Sequence, residues 1–189
     1  MAAPTTAASA PLPLELYSRL KAFVGVGPRD IENLVSLKPI AEKHGPVITD
    51  RFYARLGDVP ETAALISGRV DALKRTHREW LLSLVGGEYG EAYLASRWRI
   101  GLAHVRIGLD PYWVEGVMSF IRTAMVESMG LEISDPKEVA SKAASLIKAC
   151  DLDLLVINLS YAEDRLERLT SFTGMKRALI ENIIRIPKK

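Results

Sequence analysis

From Leu73 to Leu84 a helical period organises the chain: Leu73, Thr76, His77, Trp80, Leu81 and Leu84 recur at i, i+3, i+4, i+7, i+8 and i+11. One helix face therefore carries these residues inward, Thr76 and His77 included, while Lys74, Arg75, Arg78 and Glu79 take the wet side. Similar spacing predicts helices on either side. Leu16, Leu20 and Phe23 define a short first helix that Gly25 to Gly27 break. Pro28-Arg29-Asp30 opens a second through Ile31, Leu34 and Leu37, continuing past Pro39 with a kink and ending at Gly45-Pro46, with His44 a solvated residue at that end. Ile48, Phe52 and Leu56 form the next inward stripe, with Thr49 and Tyr53 toward one edge, and Gly57-Asp58 closes it.

Pro60 to Ile66 reads as a short helical turn, and Gly86-Gly87 as a loop before a helix from Tyr89 to Leu109. Asp110-Pro111 is a helix start, since Asp can cap and Pro fits the first turn. Val117, Phe120, Ile121, Ala124 and Met125 give that helix a broad apolar face as far as Met129. Ser134-Asp135-Pro136 opens the last long helix, where Val139, Ala143, Leu146, Cys150, Leu154, Ile157 and Tyr161 follow a repeat near 3.5 that suits packing against a partner helix. The charged stretch from Ala162 to Leu169, with Leu166 and Leu169 inward, reads as a helix leaving the globule. Met1 to Pro13, rich in Ala, Pro and Thr, is expected to be a disordered lead. Every periodic stretch is helical, so the predicted class is all-α.

The 189 residues suit one domain able to bury a core. A formal charge of +2 gives no reason to expect nucleic acid. One cysteine, Cys150, precludes an intrachain disulfide, and the sequence has no Cys-x-x-Cys-His, the pattern for covalent haem attachment. The lead has neither a basic segment nor a long apolar run, so no membrane partner is expected and the cytoplasm is the default location.

Candidate chemistry centres on His104. Ile100, Gly101, Ile107 and Gly108 share its helix face at three- and four-residue spacing. Two glycines inside a helical run cost roughly 1 kcal/mol each against alanine. One reading is that a flat object approaches the backbone there and the ring nitrogen points at it. The other is a hydrogen-bonded core histidine, with Gly108 an ordinary helix stop.

The string Ile100-Gly101-Leu102-Ala103-His104-Val105-Arg106-Ile107-Gly108-Leu109, followed by Pro111 and Trp113, resembles the proximal-histidine segment of globin-coupled sensors and their protoglobin relatives. Asp50 to Leu56, Leu73 to Trp80 and Asp151 to Ile157 fall in the matching order, and the resemblance covers roughly residues 14 to 170. It implies a globin fold, a helical sandwich around a haem, with an extra N-terminal helix and a long C-terminal helix; residues 171–189 would be a helical extension. The implied cofactor is haem b, held non-covalently, with His104 as the proximal iron ligand. Phe52-Tyr53 matches the pair whose tyrosine projects over the distal side; Leu73 matches an apolar gate and Thr76 a polar site of that side. Together with Gly101 and Ile107 these are the expected cofactor contacts.

His77 departs from the commoner pattern, which is apolar there. Three readings stay open: a sixth iron ligand, a hydrogen-bond donor to bound gas, or a satisfied core histidine. Relatives often carry tyrosine where this chain has Val114, so another acceptor would have to orient His104. Trp98 and Trp113 read as packing residues, and Arg69, Lys74 and Arg78 as solvated cations near the site. The resemblance further implies a sensor of O2, CO or NO rather than an enzyme, a homodimer through the last two helices, and a downstream signalling partner or an output domain that this chain lacks. The alternatives are a haem-free globin-like interaction module and a haem enzyme such as a nitric-oxide dioxygenase or peroxidase.

Overall fold

A computed structural model describes residues 12–187, so the expected disordered lead lies almost wholly outside the described residues. Those residues form nine helices and no strand: α1 Leu14–Val24, α2 Pro28–Ser36, α3 Lys38–Gly57, α4 Pro60–Ile66, α5 Val70–Leu84, α6 Glu91–Arg106, α7 Pro111–Glu132, α8 Pro136–Thr173 and α9 Arg177–Arg185. The central element is α8, which packs on α1, α2, α6 and α7, while α3 lies against α5 and α7. None of the described helices is long and apolar enough to cross a membrane.

The helix break between α2 and α3 falls at Leu37, not at Gly45-Pro46. Pro39 sits in the first turn of α3, where a missing N–H is harmless, and α3 then runs straight through Pro46. What holds α3 together there is tertiary packing: Gly45 is buried, and a Cβ on it would lie 3.2 Å from Leu81 on α5. His44 is consequently not at a helix end; its Nε2 is 2.7 Å from Glu132 at the end of α7.

Gly108 is a helix stop. It takes φ +71°, and the N–H groups of Gly108 and Leu109 bond back to the carbonyls of Val105 and His104, the reciprocal pair of a Schellman motif. Gly101 has a different reason. A Cβ there would stand 1.8 Å from Ser160 Oγ and 2.9 Å from the Ile157 carbonyl, so this glycine lets α6 approach α8. The object that approaches the backbone at Gly101 in this structure is the neighbouring helix, which gives this glycine a packing role. Asp135 caps α8 through Lys137 N–H at 2.9 Å, whereas Asp110 makes no side-chain cap and its carboxylate accepts from Tyr112.

The stripe along α8 is mostly used within the subunit. Leu146, Cys150, Ile157 and Tyr161 are buried, and Val139, Ala143 and Leu154 half-buried. Beyond Leu166 the helix is largely exposed, Leu169 included, and at Gly174, with φ +68°, the chain turns and α9 packs on α8. Arg177 grips Glu163 with two N–H groups.

The charged centre of the core joins three helices. Asp153 on α8 is 0% exposed and accepts from Trp80 Nε1 at 2.8 Å, Arg97 Nε at 2.9 Å and the Tyr93 hydroxyl. The Arg97 guanidinium, itself 2% exposed, lies 3.7 Å from the Tyr93 ring centroid. Burial pushes the Asp153 carboxyl's pKa up, and Arg97 opposes the shift. Three donors and no acceptor around it form the surroundings of a carboxylate.

Asp153→Ala leaves Arg97 charged and buried without its partner, and urea unfolding should record a loss of about 3–5 kcal/mol. A loss under about 1 kcal/mol would show that the pair holds little of the fold. Gly101→Ala should destabilise by about 1–3 kcal/mol through overpacking, despite alanine's better helix propensity; a more stable variant would refute the close-approach reading.

Candidate functional site

The sequence of α3, α5 and α6 brings the candidate residues to one cavity of about 210 Å³. Phe52, Tyr53 and Leu56 line it from α3, Leu73, Thr76, His77 and Trp80 from α5, and Ile100 and His104 from α6. Ile107, Leu109, Trp113, Val114 and Ile157 complete the wall, together with residues of α4 and α7. Of the expected contacts, only Gly101 lies off this cavity.

His104 stands in the last turn of α6, whose end is fixed by the Gly108 stop. Its Nδ1 is buried and has no hydrogen-bond partner among the described residues, so none of them supplies the acceptor expected to orient the ring. Burial lowers the pKa of the ring to about 4, leaving it neutral at neutral pH. Val114 is buried beside Ile157 and Tyr161, and the Tyr161 hydroxyl donates to the Leu109 carbonyl at 2.7 Å.

His77 is held on several sides. Its ring centroid lies 4.9 Å from Phe52, 5.3 Å from Trp80 and 6.1 Å from Tyr53, the last edge-on. Nδ1 is 3.0 Å from the Thr49 hydroxyl, while Nε2 is buried without a partner. Burial first, and the nearby Arg78 second, bring its pKa down to about 4. A neutral imidazole with a free nitrogen can ligate a metal or donate a hydrogen bond, depending on which nitrogen carries the proton.

Tyr53 is 9% exposed and burial pushes its phenol up to about 12, so it stays a neutral donor. None of the hydrogen bonds among the described residues engages its hydroxyl. Thr76, expected on the buried face, is exposed at the cavity margin and turns its hydroxyl onto the Ala72 carbonyl at 3.2 Å. Lys74 and Arg78 pair with Asp50, and Arg69 bonds the Leu65 carbonyl. These cations have local partners.

Sequence reasoning placed Thr49 at a stripe edge and missed its contact with His77, because the pairing crosses from α3 to α5. It also missed Arg97 with Asp153. Two opposite charges on otherwise apolar helix faces were the available signal, since Arg97 shares a face with Tyr93 and Ile100, and Asp153 follows Cys150 by three.

The protoglobin family matches residues 15–168 of this chain. The heme-based aerotactic transducer HemAT of Halobacterium salinarum is 29% identical over 138 residues, 71% of this chain, and the chain spans only 28% of that relative's length. Among solved structures, the globin domain of a Geobacter sulfurreducens globin-coupled sensor superposes with TM-score 0.73 at 32% identity, covering 76% of this chain and 96% of that one. The ferric globin domain of E. coli DosC, at 15% identity and TM-score 0.65 over 76% of this chain and 98% of its own, is alike in fold. All the residues that line the cavity fall within the matched range, and this chain belongs to the protoglobin family, with a globin domain of the globin-coupled sensor type.

Proposed function

We propose that this chain is a haem-based sensor of a diatomic gas, acting as a sensor rather than as an enzyme. The observation that carries the reading is the pair of neutral histidines, His77 and His104, lining one apolar cavity from different helices, His77 with a buried Nε2 that no group among the described residues satisfies. Such an orphaned nitrogen calls for a partner from outside the chain. Nowhere among the described residues do three or more His, Cys, Asp or Glu side chains gather as a metal cluster. A metal here would have to bring most of its own ligands, as a porphyrin iron does.

Haem b, when bound, supplies an iron that takes O2, CO or NO reversibly. His104 is the proximal ligand in this reading, and its neutrality leaves a nitrogen lone pair for the metal. Phe52, Leu73 and Ile107 provide apolar contact and exclude water. Tyr53 and His77 are the polar groups of the distal side, Tyr53 as a donor and His77 as donor or sixth ligand; Thr76 contributes at the margin. Pairing of two copies through α7 and α8 and a downstream partner complete the proposal; exposed Leu131 and Ile147 on those helices support the first. Bias on that pairing is the means by which a change at the cavity would be read elsewhere.

Reconstitution with hemin should give wild-type protein a Soret band, which His104→Ala loses or reduces severalfold while keeping its helical circular dichroism. A colourless wild type would sink the reading and leave a haem-free interaction module. A pH effect also follows for the haem-free chain. Each ring has a pKa of about 4 when folded against 6.5 when unfolded. Between those values the unfolded state binds more protons, so stability is full above pH 6.5, falls as pH drops, and is lost by about pH 4. The loss is on the order of 3 kcal/mol per ring at most. Urea midpoints at pH 7.5, 6 and 5 should fall less in His77→Phe than in wild type; parallel slopes would contradict neutral burial.

A further inference from the structure

Thr49 on α3 is 0% exposed, and its hydroxyl behaves unlike those of other helical threonines in this chain. Thr76 bonds back to the Ala72 carbonyl, Thr123 to Ser119 and Phe120, Thr170 to Glu167 and Thr173 to Leu169. That local bond is the default for a hydroxyl inside a helix. Thr49 does not make it. Its one hydrogen-bond partner among the described residues is His77 Nδ1, 3.0 Å away across the α3–α5 interface.

A fully buried O–H needs an acceptor, and leaving it without one is penalised more heavily than leaving a lone pair unused. Nδ1 can accept only when it carries no proton. Were the ring proton on Nδ1, the ring would donate to the Thr49 oxygen, and the hydroxyl hydrogen would have no acceptor within reach. With the hydroxyl donating to Nδ1 and the ring's single proton on Nε2, the one donor left without a protein partner belongs to His77, which lines the cavity and can meet an occupant there; the reverse arrangement strands the hydrogen of Thr49, which does not line the cavity.

We propose that Thr49 is the positioning residue of His77: its hydroxyl fixes the ring's rotation and its tautomer, so that His77 offers the cavity an N–H donor at Nε2. The Thr49–His77 bond stands on protein contacts alone; the tautomer needs an acceptor in the cavity, and what the N–H meets there rests on the haem reading above. A ring held this way stabilises a polar diatomic ligand by hydrogen bonding. Ligation through Nε2 would require that proton to leave to solvent, another to arrive at Nδ1, and the Thr49 hydroxyl to reverse from donor to acceptor. Thr49 therefore weights His77 toward the donor role among the readings its position allows.

The test reads the ¹⁵N signals of the His77 ring, in the haem-free protein and in the diamagnetic ferrous carbon monoxide form, for wild type, Thr49→Ser and Thr49→Val. Wild type and Thr49→Ser should show a protonated Nε2 and a hydrogen-bonded imine Nδ1. In Thr49→Val the Nδ1 signal should shift to that of an imine nitrogen without a donor. The C–O stretch of the carbon monoxide form should be one band in wild type and Thr49→Ser, and split or broadened in Thr49→Val. A proton on Nδ1 in the wild-type protein overturns the proposal, as does a Thr49→Val spectrum identical to wild type. Failure to take up haem would instead overturn the sensor reading, with the ring signals still readable in the protein alone.

Discussion

The buried carboxylate of Asp153 ties α5, α6 and α8 together at one point, and the cavity is built on that junction. Trp80 donates to it from α5 and lines the cavity with its ring, while Tyr93 and Arg97 reach it from α6, the helix that ends in His104. An apolar substitute could fill the same volume, and buried ion pairs are often no more stabilising than such a substitute. What the charges add is direction: the carboxylate is satisfied only when all three helices stand in one register. The cavity can be left unfilled by side chains because its frame is fixed beside it.

The two histidines show how burial prepares a site without any ion nearby to attract a ligand. Both rings are neutral because charging them in apolar surroundings is unfavourable. Their supports differ. His77 is wedged among aromatic rings and bonded to Thr49, whereas His104 has no hydrogen bond at Nδ1 and is positioned by its backbone, whose carbonyl the Leu109 N–H caps. Leu109 in turn receives the Tyr161 hydroxyl, so the turn carrying His104 is fastened to α8 by main-chain atoms.

Much of this was legible in the residues. Period alone located α5 and its inward His77, because a 15-residue amphipathic helix declares its faces without help from neighbours. Local turn chemistry located the start of α7 and offered the Gly108 stop as one of two readings. Features that depend on a neighbour were not legible. Gly101 looks the same in sequence whether a cofactor or a helix comes close, and Gly45-Pro46 looks like a terminus until Leu81 is seen packed against it. Thr76 shows the limit of period: it lies at the margin of its stripe, and the opening of the cavity leaves that margin wet. The α8 repeat suited a partner helix equally well inside or outside the subunit, and most of it packs inside.

The cavity itself has an energetic meaning. A space of about 210 Å³ walled largely by apolar side chains forgoes contacts that a close-packed interior would make. Because the cavity is partly open, its deficit is smaller than the roughly 5 kcal/mol that an enclosed void of that volume would carry at about 24 cal/mol per Å³, yet it still weighs against a small net stability. An occupant that restores those contacts stabilises the folded chain by mass action. The quantity of folded protein in a cell would then follow the supply of that occupant, so the molecule would report on cofactor availability before it reported on any gas.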